Sequence, residues 1–237
     1  MSESNKAPWV AAIGGGIVGA ALTAGALFLA GPSLLGDRLV RDALIANPEM
    51  LVEAGNALRD RQFAETLSPI RASMERPFYS SWKGAEKPDV TLTYFYDYAC
   101  GYCRQSNPDI ERLLKEDKGL RVVYRELPIL GPDSVAAARV SLAASKAGKF
   151  AAYHDALYAA GGRPSPETIA MAARAAGVPA QPADDPAQEA ELKANMGLAG
   201  QLGATGTPLF VVGDRVINAA VGYDALKEAV NAARSKG

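Results

Sequence analysis

The sequence predicts an α/β domain that is interrupted by a helical block and preceded by a transmembrane helix and an N-terminal helical segment. Three observations lead to this prediction. The stretch Trp9–Ala30 contains no charged side chain. Two strand-like runs, Val90–Tyr96 and Leu120–Glu126, enclose a helical pattern. Residues 132–202 are rich in alanine and show no strand pattern, whereas two short strand patterns and a helix follow them.

Composition excludes several classes of protein. The chain has 237 residues, with 25 Lys and Arg against 26 Asp and Glu, and its net charge of −1 argues against a nucleic-acid partner. Two cysteines and one histidine are too few for a disulfide-rich scaffold or for the four ligands of a structural zinc site. Arg104 follows Cys103, so the haem-attachment motif is not formed. We therefore expect no cofactor and no bound metal.

The stretch Trp9–Ala30 is predicted to cross a membrane, because about 20 apolar residues span the hydrocarbon layer as a helix. A cleaved signal peptide is the alternative. Ala24-Gly25-Ala26 resembles a cleavage site, but it lies inside the apolar run. We favour an uncleaved anchor and linker over residues 1–36. The few basic residues on its flanks leave its orientation open.

Residues 38–66 are predicted to be helical. Asn47-Pro48 is typical of a helix start, and Leu51 and Leu58 belong to an apolar stripe with helical spacing. This stripe must be buried somewhere, either against the chain's own domain or against another copy of the chain. We assign residues 37–84 to a helical stalk and candidate oligomerisation segment.

The domain predicted over residues 85–237 begins with a βαβ unit. Val90–Tyr96 and Leu120–Glu126 are its strands, which implies parallel pairing and a right-handed crossover. A helical insertion of roughly four helices covers residues 132–202. Ser165-Pro166 and Asp185-Pro186 each combine a capping residue with a proline, which marks helix starts inside the insertion.

After the insertion, the pattern changes to two strands and a helix. Leu209–Val212 and Val216–Ala219 are short strand patterns around a Gly213-Asp214 turn, which suits a hairpin. Tyr223–Arg234 is predicted to be the final helix. Without the insertion, the order of elements is that of a thioredoxin-like fold.

Cys100 and Cys103 lie where the first predicted strand meets the helix. Unpaired N–H groups at a helix start carry partial positive charge and stabilise a thiolate, which is the reactive species. The Cys-x-x-Cys spacing places Cys103 one turn further, so Cys100 can attack a disulfide and Cys103 can resolve the mixed disulfide. We expect Cys100 to be the more exposed and more acidic thiol, with an intermediate pKa. An inert structural disulfide is the alternative, although so short a loop stabilises a fold very little.

The second candidate element is Thr205-Gly206-Thr207-Pro208, directly before the strand at Leu209. Proline cannot donate to a sheet ladder and belongs at the first residue or edge of a strand. A cis bond before Pro208 would turn the loop toward the helix start and leave the backbone of Thr207 free to pair with a substrate strand. An ordinary trans turn is the alternative.

These motifs together resemble the DsbA family of thioredoxin-fold proteins. The resemblance covers roughly residues 90–230, and it is carried by Phe95–Cys103, Gly206–Pro208, Tyr124–Pro128 and Phe150–Leu157.

The DsbA resemblance implies a thioredoxin-like fold with an inserted helical domain. It also implies that Cys100 is the nucleophile, that Cys103 is the resolving thiol, and that a cis Pro208 and its neighbour Thr207 belong to the active site.

A second resemblance concerns the stalk. Leu44–Leu51 resembles the N-terminal segment of ScsC-like suppressors of copper sensitivity and of Com1-like outer proteins, and some ScsC-like proteins use it to form trimers with isomerase activity. The dipeptide Gly101-Tyr102 is similar to that of DsbC-type isomerases and differs from the Pro-His of DsbA. The resemblance therefore favours an isomerase or reductase slightly over an oxidase.

Two further ionisable residues have open interpretations. His154, the only histidine, is interpreted as a helix residue that is hydrogen-bonded to its neighbours. Glu126 ends a strand and is either a buried proton relay near Cys103 or an acid on the surface.

The sequence thus predicts a thiol–disulfide oxidoreductase of a bacterial inner membrane, with its catalytic domain on the periplasmic side. The expected partners are exported proteins with cysteines, a redox partner protein in the membrane or periplasm, and further copies of the chain through residues 38–66. A copper(I)-handling protein is the alternative, because soft thiolates select copper(I). Pro208 would then be unexplained. A membrane-tethered assembly module is the third interpretation.

Overall fold

The computed structural model describes residues 36–235, and the chain divides into two compact units between Asn56 and Ala57. The predicted membrane segment Trp9–Ala30 lies outside the described residues. Within residues 36–235, no helix is both long enough and apolar enough to cross a membrane.

The prediction that residues 38–66 are helical is confirmed, except at residues 47 and 48, which separate two helices. Residues 36–46 form helix α1, and α2 covers Glu49–Leu67. We expected Asn47 to start the second helix, but its side-chain amide donates to Ala43 O at 3.1 Å. Ala43 O also accepts from the backbone N–H of Asn47 at 2.9 Å, so both donors of Asn47 pair with the end of α1.

A short helix, α3 (Arg71–Glu75), leads into the first strand, β1 (Trp82–Gly84), which the sequence analysis missed. β1 lies before residue 85, where the sequence analysis starts the domain, and it pairs antiparallel with the domain's sheet at Val123. A strand of three residues is too short to show an alternating pattern.

The thioredoxin-like α/β fold is present, with a five-stranded sheet in the order β1-β3-β2-β4-β5. β2 and β3 are parallel, and β4 pairs antiparallel with β2 on its other side. The βαβ prediction is therefore confirmed. The remaining strands and the connecting helix are β2 (Val90–Tyr96), α4 (Gly101–Glu116), β3 (Leu120–Glu126), β4 (Leu209–Val212) and β5 (Arg215–Ile217).

The helical insertion between β3 and β4 contains four helices, as predicted. Ser165 and Asp185 cap the last two, because their side-chain oxygens accept from backbone N–H groups in the first turn. The four helices are α5 (Pro132–Lys146), α6 (Phe150–Ala159), α7 (Pro166–Ala176) and α8 (Pro186–Gln201).

The C-terminal hairpin is confirmed, but its second strand lies earlier than predicted. β5 ends at Ile217, whereas the sequence pattern placed a strand over Val216–Ala219. The turn at Gly213 has a φ of +56°, which lets the chain reverse within two residues. Residues after Ile217 leave the sheet and lead to the last helix, α9 (Gly222–Arg234).

The central strand β2 is buried on both faces, as is usual for a strand covered by helices on each side. Leu92, Tyr94 and Tyr96 belong to the main apolar core. Phe95 faces a second core, which also contains Leu67 at the end of α2. The C-terminal part of α2 thus packs on the sheet.

An ion pair holds the same part of α2. Asp60 is 5% exposed, and its carboxylate accepts two hydrogen bonds from Arg215 of β5, each of 3.3 Å. Phe63 packs against the second core. The C-terminal part of α2 therefore packs on the chain's own domain, which was one of the two alternatives for the stalk.

Candidate active site

The cysteine pair lies at the end of β2, where the chain enters α4. Cys100 is the N-cap residue of α4, and its sulfur accepts from Cys103 N at 3.4 Å. Both cysteines are free thiols, with exposed fractions of 7% for Cys100 and 0% for Cys103. Cys100 is the more exposed thiol, as expected. Gly101 is exposed, and apart from its chain neighbours and the nearby backbone of its own helix no atom lies within 4 Å of the position that its Cβ would take.

The proline loop lies beside the cysteines. The Thr207–Pro208 peptide bond is cis, which confirms the implication of the DsbA resemblance. Pro208 directly precedes β4, and the antiparallel pairing of Phe95 with Leu209 brings the loop to the end of β2. The Cys100 thiol donates to Thr207 O at 3.2 Å. The structure therefore brings together the four residues that the sequence analysis selected.

The two thiols have opposite pKa shifts. A hydrogen bond from the Cys103 side chain, supported by Thr207 and by backbone N–H groups at the start of α4, lowers the pKa of Cys100 to about 5. Burial raises the pKa of Cys103 well above the ordinary range, and the hydrogen bond with Cys100 adds to this. Helix-terminus effects alone are worth only about 0.3–1 kcal/mol, so direct hydrogen bonding to the sulfur is the larger cause.

A shallow cavity of about 350 Å³ adjoins the cysteine and proline loops. Tyr102, which is 65% exposed, lines one side, and Asn218 to Ala220 line another. Thr205–Pro208 completes the wall. The lining contains no charged side chain, so the cavity suits an uncharged part of a polypeptide.

Glu126 is buried, which excludes the alternative of a surface acid. It is 2% exposed, and the Tyr96 hydroxyl donates a short hydrogen bond to its carboxyl. Burial raises the pKa of Glu126 to about 8. Tyr94, two residues before Tyr96, donates to Cys103 O at 3.2 Å. Tyr94 thus contacts Cys103 and Tyr96 contacts Glu126, while a proton path from Cys103 to Glu126 stays a hypothesis.

His154 agrees with the interpretation as a hydrogen-bonded helix residue. Its Nδ1 lies 2.9 Å from Asp155 Oδ1, and its ring packs among aromatic side chains that include Tyr96 and Tyr158. Burial lowers the pKa of His154, which favours the neutral imidazole.

Sequence reasoning missed Asp97, which is 1% exposed and lies three residues before Cys100. Its carboxylate accepts from the backbone N–H groups of Ala99, Ile129 and Leu130. An acidic residue immediately after a buried strand and before a helix start was the available signal.

Comparison with known proteins assigns two segments of the chain. Residues 91–231 match the family described as DSBA-like thioredoxin domain, and residues 37–65 match the copper resistance protein ScsC N-terminal domain. Both matches agree with the resemblances found in the sequence.

Solved structures agree with these families. A thioredoxin-like oxidoreductase from Silicibacter pomeroyi is 37% identical, with a TM-score of 0.61 over 65% of this chain and 91% of that chain. A periplasmic thioredoxin-like protein from Salmonella enterica is 31% identical, with a TM-score of 0.65 and coverages of 70% and 96%. Proteus mirabilis ScsC in a transitional conformation is 29% identical, with a TM-score of 0.68 and coverages of 85% and 94%.

The chain spans only a small part of two curated relatives. The Na⁺/H⁺ antiporters NhaA 3 of Salinispora tropica and NhaA 1 of Salinispora arenicola are 34% and 33% identical over 79 and 89 residues, which are 12% and 14% of their lengths. The DSBA-like match, in contrast, covers more than half of this chain. The chain therefore belongs to the family of DsbA-like thioredoxin domain proteins.

Proposed function

We propose that this chain is a thiol–disulfide oxidoreductase that acts on the cysteines of exported proteins, with Cys100 as nucleophile and Cys103 as resolving thiol. The observation that carries the proposal is the geometry of the cysteine pair: Cys100 is the N-cap residue of α4 and lies 3.2 Å from Thr207 O of the cis-proline loop, whereas Cys103 is 0% exposed. The pKa of Cys100 is lowered to about 5, whereas burial raises that of Cys103. Cys100 is therefore a thiolate at neutral pH, while Cys103 keeps its proton until a mixed disulfide has formed.

The exchange proceeds in two displacements. The Cys100 thiolate attacks one sulfur of a substrate disulfide, and the other substrate sulfur leaves as a thiolate. Cys103 then loses its proton and attacks Cys100 Sγ, which releases the second substrate sulfur and leaves a Cys100–Cys103 disulfide. The substrate is reduced and the enzyme is oxidised, and the reverse sequence oxidises a substrate. Isomerisation results when a substrate thiolate, rather than Cys103, resolves the mixed disulfide.

Thr207 and Pro208 assist the first displacement in this scheme. Thr207 Oγ1 is buried and has no hydrogen-bond partner among the described residues, so it is available to donate to the Cys100 thiolate. Pro208 has no N–H group and lies directly before β4. The backbone of Thr207 lies at the cavity beside Cys100.

Substitution of each cysteine tests the proposed roles. Cys100→Ser is expected to reduce exchange with a disulfide-containing protein to the background rate. Cys103→Ala is expected to retain the first displacement and to accumulate a mixed disulfide, which non-reducing electrophoresis and mass spectrometry would locate on Cys100. Exchange at the original rate by Cys100→Ser, or a mixed disulfide on Cys103 in that variant, would contradict the assignment.

An isomerase or reductase is slightly preferred over an oxidase. A lower nucleophile pKa stabilises the reduced enzyme and makes the disulfide more oxidising, so a pKa of about 5 supports a moderate potential. Gly101-Tyr102 adds no charged side chain to the loop. Equilibration with glutathione would measure the potential, and a value as oxidising as about −120 mV would favour an oxidase instead.

Self-association through residues 38–66 would favour isomerisation. Ile45 and Leu51 are 67% and 60% exposed, and the match to the ScsC N-terminal domain covers this segment. Several active sites held around one substrate raise the effective concentration of thiols. The stalk is therefore proposed to bury its exposed apolar side chains against further copies of the chain.

Charge introduced into this stripe tests self-association. Ile45→Lys with Leu51→Lys is expected to yield monomers by light scattering and to slow the refolding of a protein with scrambled disulfides. Glu53→Lys, at an exposed acidic position of α2, the helix that also carries Leu51, is the matched control. The proposal would be rejected if light scattering showed the unaltered chain to be a monomer, or if all variants gave equal refolding rates. Residues 38–66 would then be a spacer only.

We also propose that residues 1–36 anchor the chain in the bacterial inner membrane and that the catalytic domain faces the periplasm, where a membrane or periplasmic protein sets its redox state. The periplasmic relative from Salmonella supports export of this kind of domain. A C-terminal fusion to a reporter that is active only outside the cytoplasm is expected to be active. Activity of a cytoplasmic reporter instead would refute this topology.

Copper(I) handling is the second candidate function, because the family matched by residues 37–65 is described as a copper resistance protein. Cys100 and Cys103 lie one helical turn apart, and their sulfur atoms are soft ligands of the kind that copper(I) prefers. Titration of the reduced protein with copper(I) separates the candidates: tight binding that requires both cysteines, without exchange activity, would favour copper handling.

A further inference from the structure

Asp97 is a buried acidic residue at the centre of the loops that carry the active site. It follows the last residue of β2 and precedes Cys100 by three positions, and it is 1% exposed. Burial of a carboxylate is costly unless hydrogen bonds replace its water shell. The contacts of Asp97 therefore show what this position is built to hold.

The carboxylate of Asp97 joins two loops. Oδ1 accepts from Ala99 N at 2.7 Å, within the turn that leads to Cys100. Oδ2 accepts from Ile129 N at 2.8 Å and from Leu130 N at 2.9 Å, both in the loop that follows β3. One side chain thus connects the turn before α4 with the loop between β3 and α5.

The backbone of Asp97 extends these connections. Its carbonyl oxygen accepts from Cys100 N at 3.0 Å and from the Tyr158 hydroxyl of α6 at 3.4 Å. The side chain and the backbone carbonyl of Asp97 therefore both hold the turn that places Cys100.

Only a carboxylate satisfies this set of donors. The three groups that contact the side chain are all N–H donors, and a carboxylate offers two oxygens that only accept. Asparagine has the same shape, but its NH₂ group would face either the N–H of Ala99 or the N–H groups of Ile129 and Leu130. Asparagine would therefore break one of the two loop connections and leave the other.

We propose that Asp97 is a positioning residue for thiol–disulfide exchange: by holding the turn before α4 against the loop after β3, it sets the geometry around the Cys100 sulfur. This inference rests on the proposed function. The turn brings Cys100 Sγ to 3.4 Å from Cys103 N, which donates to the sulfur. This contact needs a fixed turn, because hydrogen bonds weaken steeply with distance and angle.

The loop that Asp97 holds lies at the same end of the sheet as the cysteines. β2 lies between β3 and β4 in the sheet, so the Ile129–Leu130 loop and the proline loop flank the end of β2 on opposite sides. Ile129 and Leu130 are 44% and 40% exposed. Because Asp97 occupies their backbone N–H groups, these residues present apolar side chains rather than free donors to a substrate.

Charge and geometry make opposite predictions for the variant Asp97→Asn. Removal of a negative charge near Cys100 would stabilise the thiolate and lower its pKa. Loss of the held turn would weaken the hydrogen bond that Cys103 N donates to the Cys100 sulfur and would raise that pKa. The direction of the shift therefore distinguishes positioning from a purely electrostatic effect.

The experiment compares Asp97→Asn with Asp60→Asn in the full chain, since Asp60 is also a buried carboxylate and lies on α2. Labelling of Cys100 in the reduced protein is followed against pH by mass spectrometry. Asp97→Asn is expected to raise the midpoint by about one pH unit, so that labelling at pH 5 falls roughly fivefold. Asp60→Asn is expected to leave the midpoint unchanged. An unchanged or lowered midpoint in Asp97→Asn would overturn the proposal.

A second measurement serves if Asp97→Asn does not fold. Hydrogen exchange in the unaltered protein is expected to show slow exchange for the amides of Ala99, Ile129 and Leu130, and fast exchange at all three would overturn the proposal. The proposed function fails separately, because an unaltered chain without exchange activity would reject it whatever the labelling of the variants shows.

Discussion

Residues 36–56 and residues 57–235 differ in where they place their apolar side chains. In the second region, Leu92 and Phe95 of the central strand are 0% exposed. In the first region, Ile45 and Leu51 are 67% and 60% exposed. Burial of apolar surface is the main favourable term in folding, so the second region holds its own stabilising core. The first region has helices whose apolar side chains require a partner before they contribute to stability.

The largest expected effect is on the free energy of unfolding, when the same substitution of leucine by alanine is made once in each region. Leu92→Ala removes a buried side chain and is expected to cost about 2–5 kcal/mol in the free energy of unfolding, because it loses transfer energy and leaves a cavity. Leu51→Ala changes an exposed side chain and is expected to alter the free energy of unfolding of the domain by less than about 0.5 kcal/mol. Urea denaturation monitored by circular dichroism would measure both.

Repeating the urea denaturation at several protein concentrations distinguishes the two regions. Any cost of Leu51→Ala is expected to appear only at concentrations at which the chain self-associates, whereas the cost of Leu92→Ala is expected at every concentration. A large cost of Leu51→Ala that does not depend on concentration would break the comparison.

The second prediction concerns pH and the buried carboxyl of the second region. The pKa of Glu126 is raised by burial from 4.5 to about 8. The protonated side chain therefore contributes stability that is fully present below pH 4.5 and is lost as the pH rises through about 8. Glu126→Gln is expected to remove this loss and to be more stable than the unaltered chain at pH 8, by on the order of 4 kcal/mol, because the pKa difference of about 3.5 units (about 8 minus 4.5) is worth about 1.36 kcal/mol per unit.

Thermal denaturation at pH 5 and pH 8 would test this prediction. Glu111→Gln is a suitable control, because the side chain of Glu111 is 52% exposed and pairs with Lys83. Relative to the unaltered chain and the control, Glu126→Gln is expected to become more stable between pH 5 and pH 8. Parallel changes in all three proteins would show that Glu126 is not the titrating group.

The smallest effect is expected at the sulfur itself. Thr207→Val keeps the shape of the side chain and removes the buried hydroxyl that is proposed to donate to the Cys100 thiolate. The pKa of Cys100 is expected to rise by about 0.5–1 unit from its value of about 5, which corresponds to ~1 kcal/mol. Thiolate absorbance near 240 nm against pH would measure the shift.

The adjacent variant Thr205→Val provides the control, since Thr205 is exposed in the same loop. It is expected to leave the pKa of Cys100 unchanged. Equal shifts in both variants would indicate a general effect of the loop rather than a hydrogen bond from Thr207.

Local patterns were sufficient for most of the fold. The alternation in Val90–Tyr96 and the capping residues Ser165 and Asp185 act within a few residues of the chain, so they can be read without knowledge of tertiary contacts. β1 could not be predicted, because its three residues are a strand only through their pairing with β3. The exit from β5 at Ile217 likewise depends on where the chain must leave the sheet to begin α9.

The sequence by itself determined the chemistry that this protein has available: two thiols at a helix start, a proline before a strand, and an order of elements that brings them to one end of a sheet. Only the tertiary structure decided how that chemistry is tuned. Whether Glu126 is buried, which carbonyl accepts from the Cys100 thiol, and which loops Asp97 joins depend on residues far apart in the chain. Burial and hydrogen bonding between such residues set their pKa values, and neither can be read from local spacing.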